Sequence, residues 1–471
     1  MNKETTRFLS RRDCLTVGSA AALLAGCAPI ARRFVTHPED LPLPTGDIHP
    51  TVRLLNRTGF GPRPGDVARV EKTGHAAYID SLLKADIPED LGLQMQLQRL
   101  DVGQIDDPDI EDLPRAEVIR QLQQAAILQA VYGANPLKER MVDFWTNHFN
   151  VYALKGDSAF RKGGDERAVI RDHALGNFGD LVRSSSRSPA MIAFLDNTQN
   201  FKLHPNENYA RELMELHTLG IGGGYTQKDV QEVARCFTGW TIETRFLRPK
   251  GKIRFDPDLH DDGRKTVLGH TIPAGGGEKD AQLVLNILCA HPSTAHFISA
   301  KLVRYFHGQE DSALISRAAD EFSKSSGDIP SVLRVILDPV RLGASPPIVK
   351  RPFHLIASAL RATGGDTDGN NGIQKHLIDM GEPLYQWPMP DGYPVKTTAW
   401  TGSMLPRFNF AQAYATDSIP GTSLGSVKDP FISSHQRRPQ DSDGLLLNAL
   451  RGKKPEQALA LCLAAPSFQW Y

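Results

Sequence analysis

Polar and ionisable side chains crowd one stretch of the chain, from Asp196 to Asp262. It contains the run Asn206-Glu207-Asn208-Tyr209-Ala210-Arg211-Glu212-Leu213-Met214-Glu215-Leu216-His217. On a helix Glu212 and Glu215 are three residues apart. Their carboxylates are then neighbours that repel unless a cation, a proton or hydrogen-bond donors compensate. Asp229 and Glu232 repeat the spacing, and His260-Asp261 follow. If the Gly222-Gly223-Gly224 turn folds two helices together, Glu212, Glu215, His260 and Asp261 converge as ligands for a divalent metal ion such as Zn²⁺, Mn²⁺ or Ca²⁺. Glu212, Glu215 and His148 are then the expected catalytic groups, the carboxylates and the imidazole moving protons. His217 falls outside this set on a regular helix, roughly 200° around the axis from Glu215. A ferritin-like Glu-x-x-His repeat is absent.

The same residues also suit a structural ion-pair network, with Arg211 and Arg235 set against Glu207, Glu212 and Glu232. His148 shares a helical stripe with Leu137, Met141, Phe144 and Trp145, a position more often held by a satisfied core histidine than by a ligand or base. The glycine turn precedes a helix start, which favours anions. It lacks the preceding strand and the lysine of a P-loop. No Gly-x-Ser-x-Gly elbow, His-Glu-x-x-His or dinucleotide fingerprint occurs.

The elements that must position these groups read as helices. Helical spacing of apolar residues marks 66–83, 115–132, 137–149, 293–306, 348–363 and 454–463. Ser188-Pro189 is a helix start. Asn206 caps a helix ending at Gly220, and Thr226 with Asp229 forms a capping box. Alternating runs at 252–255 and 266–268 predict one hairpin. Residues 381–443, rich in Pro, Gly and Ser, predict a long irregular segment that is either mobile or wrapped around the body. The expected fold is mainly α: a large multi-helix globular body at 49–471 with one small β-hairpin.

Ser10-Arg11-Arg12-Asp13-Cys14-Leu15 is a twin-arginine signature, followed by an apolar run too short to span a bilayer. The run closes on Leu24-Ala25-Gly26-Cys27, a lipoprotein-type cleavage box. Residues 1–26 are therefore expected to be an export signal. Cys27 is expected to carry a lipid anchor to a membrane, and 27–48, with four prolines, to be a tether. The expected location is periplasmic or at the membrane. Cys236, Cys289 and Cys462 include no C-x-x-C pair and read as buried free thiols.

Among 471 residues, 54 Lys and Arg balance 54 Asp and Glu. With no long basic run, this balance predicts no nucleic-acid partner.

The central run, together with Gly-Gly-Gly-Tyr-Thr-Gln at 222–227 and Phe-Thr-Gly-Trp at 237–240, resembles the bacterial family catalogued as domain of unknown function number 1800. So do Leu54-Leu55-Asn56-Arg57-Thr58-Gly59-Phe60-Gly61, Trp145-Thr146-Asn147-His148-Phe149, Lys350-Arg351-Pro352-Phe353, Gly381-Glu382-Pro383-Leu384-Tyr385-Gln386 and Pro466-Ser467-Phe468-Gln469. The resemblance covers about residue 49 to the end. Ser188 departs from it, standing where the family carries His. The resemblance implies an exported protein that works with a member of a second exported family, of unknown function number 1501. It implies no activity. The residues themselves suggest an exported cell-envelope hydrolase, metal- or carboxylate-dependent, acting on an envelope or extracellular substrate. The alternative is a non-catalytic envelope scaffold or binding lipoprotein.

Overall fold

In the computed structural model, helices account for most of the described residues, which are 48–84, 87–104, 110–245 and 251–471. The expected signal, Cys27 and nearly all of the tether lie outside them. Among the described residues, no helix is long and apolar enough to cross a membrane.

The helix starts follow local chemistry. Asn135 accepts from the Leu137 and Lys138 amides, and Pro136 occupies the first turn of Pro136–His148. Thr226 and Asp229 form the reciprocal capping box of Gln227–Cys236. The single helix expected over 66–83 is two, Asp66–Thr73 and His75–Leu82. Gly74 separates them at φ 87°, in the left-handed region.

Two large apolar clusters form the core. One gathers around Trp145, which is fully buried and donates its indole N–H to the Ala174 carbonyl at 3.2 Å. The other packs the helix Pro352–Thr363 against Met404–Ala415 and Pro455–Ala464. Cys236 and Cys462 are buried, Cys289 is partly so, and all three are free thiols.

The strand expectation needs correcting. Ile253–Phe255 pairs with Trp240–Ile242, and Lys265–Val267 pairs with His270–Ile272. The two runs expected to form one hairpin therefore belong to different ones. Leu268 and Gly269 both have positive φ, 50° and 79°, the signature of a two-residue I′ turn. That turn returns the chain at once and leaves the earlier run to pair with the strand before it. A third ladder joins Asp366–Thr367 to Thr422–Ser423.

The segment 381–443 is more ordered than its composition suggests. It contains the helices Met404–Ala415 and Pro430–His435. Pro406 falls in the first turn of the former, where a missing N–H costs nothing. The remainder wraps the body. Asn150 Nδ2 donates to the carbonyls of Trp387 and Met389, and Asn147 exchanges two hydrogen bonds with the backbone of Tyr393.

Candidate functional site

The helix Pro136–His148 has two chemically distinct faces. Leu137, Met141, Phe144, Trp145 and His148 enter the core, while Glu139, Asp143, Thr146 and Asn147 recur at helical spacing on the other side. The polar face lines a cavity of about 50 Å³ where the two apolar clusters meet, closed by Phe60, Phe353, Leu384 and Tyr385. Glu166 and Arg171 reach it from a π-helical segment, Asp165–Arg171. Such widened turns recur at functional sites.

Charge pairing around the cavity is nearly complete. Arg171 holds Glu139 through two hydrogen bonds, 2.9 and 2.5 Å. Lys162 lies 2.7 Å from Asp165, both side chains essentially unexposed. Arg351 donates to Glu382 at 2.8 Å and to Asp143 at 2.9 Å, and Arg140 stands 4.0 Å from Asp143. Five carboxylates (Glu139, Asp143, Asp165, Glu166, Glu382) thus face four cations (Arg140, Lys162, Arg171, Arg351), leaving one acid in surplus.

Glu166 is the surplus acid. Its contact with Lys162 is the longer one, 3.5 Å, because Asp165 holds the ammonium more closely. Burial raises its pKa despite the opposing pull of Lys162 and Arg171. The Thr146 hydroxyl sits 3.0 and 3.1 Å from its two oxygens. Burial and Glu166 together push the Tyr385 phenol well above its usual range. Tyr385 has φ 63°. For a bulky non-glycine residue this conformation costs about 1–3 kcal/mol, and it concentrates at functional sites.

The residues favoured by sequence are divided differently. Glu212 and Glu215 are neighbours, as their spacing requires, and each is half-buried. Burial and then Glu215 raise the pKa of Glu212. Arg211 is the compensating cation, 3.4 Å from Glu215 and 3.0 Å from Glu207. From Leu213 to Thr218 the helix is π-helical, so the regular-helix angles do not apply. His217 is buried beside His148, their ring centroids 5.9 Å apart. His148 Nε2 approaches the His217 carbonyl at 3.2 Å. Burial holds both imidazoles neutral, His217 at about 3.

His260 and Asp261 are held by other partners. Thr238 O lies 2.8 Å from His260 Nδ1, and Asp280 lies 3.3 Å from Nε2. Asp280 is paired at 2.5 Å with Lys265, both side chains fully buried. Arg235 grips Asp261 at 2.7 and 3.1 Å and lowers its pKa to about 2. The carboxylates of Asp229 and Glu232 accept from the amides of Leu268 and Thr266, fastening the second hairpin to Gln227–Cys236. Among the described residues, no hydrogen bond or ion pair joins Glu212 or Glu215 to His260 or Asp261. No group of three or more His, Cys, Asp or Glu among the described residues is arranged to hold a metal ion. Arg235 with Glu232, and Arg211 with Glu207, form the structural pairs named as the competing arrangement.

Sequence reasoning missed Glu139, Asp143, Glu166, Arg171, Arg351 and Tyr385 as site residues. The signal for the first two was present: carboxylates four apart, followed by Thr146, on one face of a helix whose other face is apolar. Ser188, the departure from the family pattern, caps Pro189–Phe194 and donates to Asp165 at 2.6 Å, one residue from Glu166.

No curated protein and no solved structure matches the chain. The family model described as protein of unknown function (DUF1800) matches residues 53–470. Four segments that carry that likeness, around Phe60, Trp145, Arg351 and Glu382, meet at the cavity. The chain belongs to this family.

Proposed function

We propose that the protein is an exported, carboxylate-dependent hydrolase of the cell envelope, with Glu166 as its proton donor. The observation that carries this reading is the surplus acid: one buried carboxyl, whose partner Lys162 is held more closely by Asp165, has a raised pKa at the wall of a cavity. A general acid needs that combination of a raised pKa and access to a reacting group. The cavity admits one end group or bond of a substrate. Thr146 orients the carboxyl, and Arg171 and Arg351 supply fixed positive charge where negative charge develops.

Purified protein is expected to release soluble fragments from cell-envelope material. Glu166→Gln, which keeps the shape and removes the acid, is expected to release them at least about a hundredfold more slowly. Equal release by the variant, or none by the parent, overturns the reading. Stability supplies a second readout. A carboxyl whose folded pKa is raised binds a proton that the unfolded chain gives up above about pH 4.5, so stability is lost as pH rises from there through the folded pKa. Glu166→Gln is expected to flatten that part of a denaturant-measured stability profile.

Export is supported by the order of Arg11-Arg12, one apolar run and Leu24-Ala25-Gly26-Cys27. Replacing Arg11 and Arg12 by Lys is expected to retain the protein in the cytoplasm, as read by fractionation. A mature N-terminus other than a lipid-bearing Cys27 removes the anchor from the proposal.

A further inference from the structure

A second set of groups, none of which lines the Glu166 cavity, lies near the C-terminal end of the chain. His435 is the last residue of the helix Pro430–His435, which Asp429 caps. Gln436 ends that helix in the left-handed region at φ 54°, and its carboxamide donates to the carbonyls of Ala362 and Ser433 at 2.6 and 2.9 Å. The His435 ring is buried and stacked on Phe431, with centroids 4.3 Å apart and planes 4° from parallel. The imidazole is thus fixed in position and orientation.

Its two nitrogens face two hydroxyls. Ser434 Oγ donates to the Pro430 carbonyl at 2.7 Å. Its lone pairs are therefore left for His435 Nδ1, 2.8 Å away, and that nitrogen carries the ring proton. Nε2 is then a bare acceptor, 2.8 Å from Ser467 Oγ. The Ser467 hydroxyl has no other hydrogen-bond partner among the described residues, and the residue is half-buried. It belongs to the Pro466-Ser467-Phe468-Gln469 segment, which the Glu166 reading leaves unused. Nucleophile, base and a third group orienting the base form the pattern by which serine is activated, independent of fold or chain order.

The geometry points to Ser467 as the nucleophile of a second centre, one that cleaves small carboxylic esters, with His435 as its base and Ser434 as a positioning residue. Ser467 Oγ attacks the ester carbonyl carbon as its proton passes to His435 Nε2. The imidazolium returns that proton to the departing alkoxide, and the acyl group remains on Oγ. Water, giving a proton to Nε2, attacks the acyl carbon. The carboxylic acid leaves, and Ser467 recovers its proton. Burial, followed by Arg437, lowers the His435 pKa to about 3, with Asp443 opposing, so the ring rests neutral.

Diisopropyl fluorophosphate tests this directly, because an activated serine displaces its fluoride and becomes phosphorylated. Full-length protein is expected to gain the adduct on Ser467, located by peptide mass spectrometry, and to hydrolyse p-nitrophenyl acetate. Ser467→Ala is expected to abolish both with an unchanged melting temperature. His435→Gln is expected to slow labelling at least about a hundredfold. Should that buried substitution prevent folding, Ser434→Ala decides, because it leaves the ring in place. Labelling is then expected to fall about tenfold and to recover in Ser434→Thr, which a purely packing role would not produce. An unmodified Ser467 under conditions that label a known serine esterase overturns the assignment. So does labelling at the parental rate in folded His435→Gln or in Ser434→Ala.

Discussion

Arg351→Met is expected to destabilise the protein by about 3–5 kcal/mol, the usual consequence of leaving a buried carboxylate without its cation. Glu382 has no exposed surface, and beyond Arg351 its only hydrogen-bond donor among the described residues is the Phe353 amide at 2.9 Å. Asp143 retains the Tyr305 hydroxyl at 2.7 Å and the more distant Arg140. The uncompensated charge therefore falls mainly on Glu382. For a body of this size the effect corresponds to a fall in melting temperature of about 3–6 °C. The loss should depend on pH in a definite direction. Burial already raises the Glu382 pKa, and removing Arg351 raises it further. The folded variant then holds a proton that the unfolded chain releases above about pH 4.5, so its deficit grows as pH rises and shrinks toward pH 4.5. Calorimetry at pH 5 and pH 8 checks this, and Glu382→Gln added to Arg351→Met should recover part of the loss. A deficit independent of pH would show that packing, not charge, is what Arg351 contributes.

Asp280→Ala is expected to have an effect of similar size, about 3–5 kcal/mol, by stranding the fully buried Lys265 ammonium. It also removes the carboxylate facing His260 Nε2. The second hairpin is held to Gln227–Cys236 by Glu232 and Asp229 and to Asp280 by Lys265. Hydrogen exchange should therefore quicken first over residues 265–272. Replacing both partners by apolar residues, Lys265→Met with Asp280→Leu, should restore most of the stability, since the desolvation of both ions disappears with them. A double variant no better than Asp280→Ala would place the deficit in packing around His260.

Both predictions concern residues to which sequence assigned no chemical role, and the reason is physical. Glu212 and Glu215 were legible because a three-residue spacing on one helix is a local property. The spacing correctly made them neighbours and required a cation, which is Arg211. It could not say which distant groups approach them. His260 lies within fifty residues of Glu215 in sequence, yet its partners are Thr238 and Asp280. The chain widens into a π-helix over Leu213–Thr218, which a regular wheel does not allow for, and His217 lies apart from Glu215, buried beside His148.

Local chemistry by itself determined the helical class, the helix start at Ser188-Pro189 and the capping box at Thr226, because caps, prolines and apolar periodicity act over a few residues; the helix expected to be capped by Asn206 instead starts at Asn208. It also determined that strands would be few. The tertiary structure alone decided their pairing, since register depends on which partner a turn presents; the two positive-φ residues Leu268 and Gly269 selected His270–Ile272. It alone decided which charges are buried. Arg351 and Glu382 are 31 residues apart, and Glu139 and Arg171 are 32 apart, so each reads in sequence as an ordinary surface charge. Removed from water together, they become an almost balanced set, and burial raises the pKa of the remaining acid, Glu166, against the opposing pull of Lys162 and Arg171.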